Sequence, residues 1–303
     1  SAQGKNIVTS KHLFGNTYAL LVATLRRFGV KVRLRDLTNI EEVREAIDDD
    51  TCCVFLEILT NPQLEVADLK AISEVAHEKN VPLVVDSTVI PFTQFSAKNL
   101  GVDIEVVSSS KYVSGGATSL GGLVIDYGTP YNGDFAKRLY GEMLFNFGAY
   151  MTPQVAYMQT IGLETLDARY RVQSGNALEL AKKLRTLPQI QYVNYVGLED
   201  NPYHELAQRQ FGKTAGAMIC IDLESKEACF SFLNNLKLIH RATNLFDNRS
   251  LAIHPASTIF GAFSESMRKS MDVKDTTIRL SVGLEDVDDL FEDIKQAVEG
   301  IQK

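Results

Sequence analysis

A chain of 303 residues, 45% hydrophobic and 23% charged, has ordinary globular composition and enough length for two cored domains. Its net charge of −7, with both signs mixed along the chain, offers no basic stripe to a nucleic-acid backbone. Cys52, Cys53, Cys220 and Cys229 lack CxxC spacing and read as reduced core residues, and no apolar run approaches a membrane span or a signal peptide, so a cytoplasmic protein without disulfide or zinc is expected.

From residue 6 to about residue 126, short apolar runs alternate with amphipathic segments, the pattern of βαβ units in a mainly parallel sheet. Residues 6–9 are the first predicted strand. Leu20, Leu21, Ala23, Thr24 and Leu25 then recur at helical spacing, which predicts a helix over 17–28 closed by Gly29. A strand at 30–34 precedes a helix running to about Ile47, with Asn39 as its N-cap and acids in its first turn. The strand at 51–58 is rich in β-branched and aromatic residues, and Asn61-Pro62 halts the chain beyond it. A helix over 66–78 follows, then a strand at 82–86 that is apolar until its last residue, Asp86. Strands at 104–107 and 121–126 flank a run of hydroxyls, a lysine and a glycine pair: Ser108, Ser109, Ser110, Lys111, Gly115 and Gly116.

A helix is predicted over 134–147. After a break at 150–153, residues 154–187 read as almost continuous helix, interrupted near Gly162. Strands at 192–195, 217–223 and 277–282 alternate with helices at 202–211, 227–236 and 287–301 to make a smaller α/β unit. The expected division is a larger domain over 1–160 and a smaller one over 161–303, joined by the long helix.

Parallel strands place their carboxyl ends on one edge of a sheet, where open α/β folds bind ligands. Asn61, Asp86 with Thr88, Ser108 with Ser110 and Lys111, and the Phe14-Gly15 turn all fall there. A partly desolvated lysine can lose its proton near neutral pH and attack a carbonyl to form a Schiff base. An acid able to hold a pyridinium proton and hydroxyls able to meet a phosphate complete what pyridoxal 5'-phosphate demands of its protein. Taken by itself each group also has a bland reading: a loop lysine, a turn aspartate, or, for Arg279 inside an apolar strand, a structural ion pair.

From Asn6 to Val298 the sequence resembles the cysteine/methionine metabolism family of pyridoxal-phosphate enzymes, of aspartate aminotransferase fold type I. The resemblance rests on five stretches in order: 57–62, 84–88, 108–112, 254–258 and 278–285. It implies a mainly parallel central sheet with helices on both faces, plus a smaller C-terminal α/β domain. It implies Lys111 as the Schiff-base lysine, Asp86 as the pyridinium partner, Ser108 and Ser110 as phosphate ligands, and Thr88 beside the ring. Asn61 would face the phenolic oxygen, and Arg279 would hold the substrate carboxylate with its planar fork. Glu57 reads as a structural acid near the site; His12, His77 and His254 receive no functional role.

Within the family, residues 192–200, 204–207 and 242–254 are similar to O-acetylhomoserine sulfhydrylases, and Asn244 stands where γ-lyases and cystathionine synthases usually carry serine. This implies replacement on O-acetylhomoserine by sulfide or a related thiol, giving homocysteine and acetate, by a homotetramer of two tight dimers with shared sites. Cystathionine γ-synthase, cystathionine γ-lyase or methionine γ-lyase activity stays open on the same scaffold, as does a non-enzymatic binding role. The sequence departs from the family at Phe14, where tyrosine is usual: ring stacking is kept and a phenolic proton is lost. Family members also carry a segment ahead of the first residue here, with a phosphate-binding Ser-Gly turn and a Tyr/Arg pair that reaches the neighbouring subunit's site. A chain without it is expected to hold its cofactor less tightly.

Overall fold

The structure, a computed structural model, describes residues 4–301. Strands β1 (Asn6–Ser10), β2 (Lys31–Arg35), β3 (Thr51–Glu57), β4 (Leu83–Asp86), β5 (Ile104–Val107) and β6 (Leu123–Asp126) form one sheet in the order β2-β1-β3-β4-β5-β6. The first five run parallel, and β6 returns antiparallel to β5. All five residues of β1 are buried, as expected for a central strand covered on both faces. The chain leaves β1 outward to β2 and comes back on the other side as β3, so the strand order reverses between β1 and β3. That reversal opens a crevice at the carboxyl ends of the strands.

Helices α1 (Gly15–Ala19), α2 (Ile40–Ala46) and α3 (Leu69–Glu78) make the crossovers. The Asn39 side chain caps α2 as its position predicts, and Asp68 caps α3 by accepting from the Ala71 N–H at 3.1 Å. The helical stretch at 17–28 is less regular than its periodicity predicts. It opens as α1, loosens and then tightens through a π-turn (Leu20–Thr24) and a 3-10 turn (Leu25–Phe28), and stops at Gly29 with φ +81°. The stretch at 134–147 is likewise broken, into α4 (Phe135–Arg138), a π-turn (Leu139–Leu144) and α5 (Phe145–Phe147).

Helices α6 (Pro153–Glu164) and α7 (Leu166–Leu184) meet at Thr165, not at Gly162. Gly162 stays helical for a packing reason. A Cβ there would lie 2.1 Å from the Val113 carbonyl oxygen, so only glycine lets α6 press against the turn that follows Lys111. The α7 side chains Tyr170, Ala177, Leu180 and Leu184 are buried, and the helix packs on the second sheet and on that same turn.

The second sheet contains β7 (Tyr192–Asn194), β8 (Met218–Asp222), β9 (His240–Arg241), β10 (Leu251–Ile253) and β11 (Thr277–Ser281), ordered β7-β8-β11-β10-β9. It carries α8 (His204–Phe211), α9 (Lys226–Asn235), α10 (Glu265–Ser270) and α11 (Val287–Glu299). The sequence does not predict β9, β10 or α10. One continuous apolar cluster joins Val8 and Val54 of the first sheet to Ile278 and Ile294 near the second. Among the described residues, no helix is long and apolar enough to cross a membrane.

Candidate active site

A cavity of about 330 Å³ opens at the strand carboxyl ends, lined by Phe14, Glu57, Asn61, Asp86, Thr88, Ser108 and Lys111, among others. Its walls come from four separate strand ends and from Thr243 and Leu245 ahead of β10. Of the nine residues singled out in the sequence, six line the cavity directly. Asn244 and Arg279 join it through hydrogen bonds to Lys111 and Asn61. Ser110 is not in the lining: its hydroxyl accepts from the Gly121 N–H at 2.9 Å and donates to the Gly121 carbonyl at 3.2 Å.

The floor of the cavity is acidic. Glu57 ends β3, Asp86 ends β4, and the two are paired in register, which points their side chains to one face of the sheet. Burial, then the Asp86 charge, pushes the Glu57 carboxyl up to about 8. Asp86 is raised by burial, against the hydrogen bonds from Thr88 that favour its ionised form. Its Oδ1 accepts the Thr88 N–H at 2.9 Å, while the Thr88 hydroxyl accepts the Ser108 N–H at 2.8 Å. This chain of bonds ties β4 to the turn that carries Lys111.

Lys111 is half-buried, and burial first, then the Arg279 charge, lowers its pKa. Its Nζ donates to the Asn244 side-chain carbonyl. Behind it the buried Arg169 holds the turn, donating to the Tyr112 carbonyl at 2.9 Å and to the Gly162 carbonyl at 2.7 Å. Tyr112 stacks on Phe246 with ring centroids 4.2 Å apart, so the lysine rises from a backbone gripped on two sides.

Arg279, on β11, is 1% exposed, and burial pulls it down to about 10. Its Nη1 donates to Asn61 Oδ1 at 3.3 Å, and its Nη2 donates to the Thr243 and Asn244 carbonyls at 3.1 and 3.0 Å. Its Nε has no partner, and it makes no ion pair among the described residues. A buried guanidinium held only by neutral acceptors is a site for an anion.

His254 is buried between the Ser257 hydroxyl and the Asp275 carbonyl, each 2.8 Å away, which is a structural role. The residue that sequence reasoning undervalued is Glu57. Its only local signal is that it ends an apolar strand next to the Asn61-Pro62 stop, as Asp86 ends the neighbouring one.

The donor set fits pyridoxal 5'-phosphate. The lysine's pKa is lowered by burial, N–H and O–H groups border the cavity, and among the described residues the acid at the floor has no cation beside it and the neighbouring guanidinium has no carboxylate partner. The features describe an enzyme of amine and carbonyl chemistry on a doubly wound α/β scaffold. The chain belongs to the Cys/Met metabolism PLP-dependent enzyme family, whose pattern it matches over residues 1–299.

It is 38% identical over 302 residues to an L-methionine gamma-lyase of Fusobacterium nucleatum subsp. polymorphum, covering 98% of this chain and 75% of the relative. The O-acetylhomoserine sulfhydrylase structure from the methionine biosynthetic pathway of Wolinella succinogenes is 41% identical, with a TM-score of 0.84 over 97% of this chain and 85% of that one. A Campylobacter jejuni protein assigned as an O-acetylhomoserine (thiol)-lyase, solved with a pyridoxyl-lysine phosphate, superposes with a TM-score of 0.94 at 33% identity, covering 98% of this chain and 77% of that one. The chain is therefore an enzyme of this fold, and its cofactor is pyridoxal 5'-phosphate. The family supports elimination or replacement at the γ-carbon of an amino acid.

Proposed function

We propose that the enzyme carries out γ-replacement: sulfide or a related thiol displaces acetate from O-acetyl-L-homoserine to give homocysteine, as a step of methionine biosynthesis in the cytoplasm. The observation that carries this reading is the contact between Lys111 and Asn244. The residue at which the sequence resembles sulfhydrylases, and differs from the serine usual in γ-lyases, is the one that touches the lysine.

Bound pyridoxal phosphate supplies a carbonyl that links covalently to amines and a ring that withdraws electrons from the substrate's α-carbon. The residues do the rest. Lys111 would anchor the cofactor, and its amine, of lowered pKa, would serve as the base for the proton on the substrate's Cα. Asp86 would hold the proton of the ring nitrogen, Thr88 would lie beside the ring and Ser108 would meet the phosphate, with Ser110 fixing the Gly121 backbone through its two hydrogen bonds. Phe14 would supply an aromatic face to the ring, Asn61 would meet its phenolic oxygen, and Arg279 would take the substrate carboxylate. Asn244 holds the Lys111 amine aside and meets the substrate as it enters.

The division into a cofactor domain over 1–160 and a smaller domain over 161–303 belongs to the same reading. So does a homotetramer with shared sites, which is supported by the large apolar side chains left exposed between residues 140 and 163, such as Phe145 and Phe147, 74% and 76% exposed.

The test is incubation with O-acetylhomoserine, with and without sulfide. Homocysteine that depends on sulfide supports replacement. Release of 2-oxobutyrate at the same rate with and without sulfide would reassign the enzyme to elimination, and Asn244→Ser is expected to shift the ratio toward it.

A further inference from the structure

We propose that Glu57 is a positioning residue of the cofactor site, which pins the turn carrying Phe14 over the cavity and sets a second carboxyl beside Asp86 to counter a cationic ring nitrogen. The proposal rests on the cavity being the pyridoxal-phosphate site. Glu57 is 6% exposed and lines the cavity. Its Oε1 accepts the Phe14 N–H at 2.7 Å, the bond that ends the loop after β1 and sets where the aromatic ring begins. In-register pairing places it beside Asp86 on the same face of the sheet.

Neither acid has a cation partner among the described residues. Two neighbouring carboxyls, Glu57 buried and Asp86 half-buried, cannot both stay ionised cheaply unless a positive group meets them. The titratable groups around Glu57 are few. Asp86 faces it from β4, and Glu105 lies one strand further, bonded to the Ser87 and Tyr127 hydroxyls. Lys111 borders the cavity, Arg279 bonds Asn61, and His12 is turned away toward Glu65 and Asp272. With burial and Asp86 raising Glu57 to about 8, it is mostly protonated at neutral pH in the free cavity, and a ring cation shifts it partway toward the ionised form.

The experiment uses pyridoxamine 5'-phosphate, which carries the ring and phosphate but no carbonyl for Lys111. Its dissociation constant is measured from pH 6.5 to 9 for the wild type, Glu57→Gln, Glu57→Ala and Asp86→Asn. Taking the ratio of variant to wild type cancels the ligand's own titration. The Gln ratio should be near one at the acid end and rise to about fivefold at the alkaline end, because Gln keeps an acceptor for Phe14 but cannot ionise. The Ala ratio should exceed it at every pH, since the turn is also released.

A Gln ratio within about twofold of one across the range, with Ala no weaker than Gln, would overturn the proposal. Should the variants fail to fold, carboxyl infrared difference spectra of the wild type decide. Weakening of a protonated carboxyl band on ligand binding near pH 8 supports the proposal, and no change overturns it. Failure of the wild type to bind, or an Asp86→Asn variant that binds normally, would instead remove the cofactor-site reading beneath it.

Discussion

Arg279→Met separates a guanidinium kept for an anion from one kept for the fold. Methionine fills much of the same buried volume with a flexible apolar chain. The free protein loses three hydrogen bonds to neutral acceptors, at 3.0, 3.1 and 3.3 Å. At about 1 kcal/mol each, that is on the order of 3 kcal/mol. Against this stands the cost of burying the charge. Burial pulls the guanidinium down to about 10, which at about 1.4 kcal/mol per pH unit is also roughly 3 kcal/mol. The two nearly cancel, so the denaturation midpoint should move little, by less than about 2 kcal/mol of stability.

Catalysis should not be spared. Truncating one partner of a buried charge pair costs about 2–5 kcal/mol, so kcat/KM for an amino-acid substrate should fall by roughly 30-fold to several thousand-fold. Urea denaturation and steady-state kinetics on the same preparation read both quantities. A variant that loses more than about 4 kcal/mol of stability would refute the reasoning, since that is the signature of breaking a structural ion pair. A variant with unchanged kcat/KM would refute it equally.

His12 should make stability fall as pH rises. It is 1% exposed between Glu65 and Asp272, the latter 2.7 Å from its Nε2, so both ring nitrogens face carboxylates and both must donate. Burial opposes its charge, yet the hydrogen bonds to Glu65 and Asp272 and the charge of Glu65 outweigh burial and the nearby Lys11 and raise its pKa. The stabilisation is complete below the unfolded histidine value, about 6.5, and is lost as pH rises through the folded value. Melting temperature against pH should therefore converge for wild type and His12→Gln on the alkaline side, and a constant gap between them would contradict this. Gly162→Ala should cost about 2 kcal/mol or more, because the new Cβ meets the Val113 carbonyl at 2.1 Å, and it should weaken cofactor retention by shifting the Lys111 turn. Denaturation with visible absorbance tests both halves, and a variant as stable and as yellow as the wild type would contradict the packing argument.

Much of the cofactor half was legible because burial and chemistry coincide there. A strand apolar to its last residue and then acidic, as at Asp86, announces both a buried strand and its polar end. The irregular helix from Gly15 to Phe28 was not legible in detail, because π- and 3-10 turns bury nearly the same spacing as an α-helix. β9 and β10 are two and three residues long, too short for any period to register. Contacts that cross the chain were hidden for a different reason. Arg279 and Asn61 are 218 positions apart, and nothing local at either names the other. The Glu57 bond to the Phe14 backbone leaves no side-chain signal at residue 14 at all.

Lys111 decides the central claim. The holoenzyme is reduced with borohydride, digested and mapped by mass spectrometry. The account predicts that the peptide bearing the pyridoxyl group contains Lys111, and that Lys111→Ala yields a folded, colourless and inactive protein. A pyridoxyl group on any other lysine, or a Lys111→Ala variant that keeps its colour and its turnover, would contradict it.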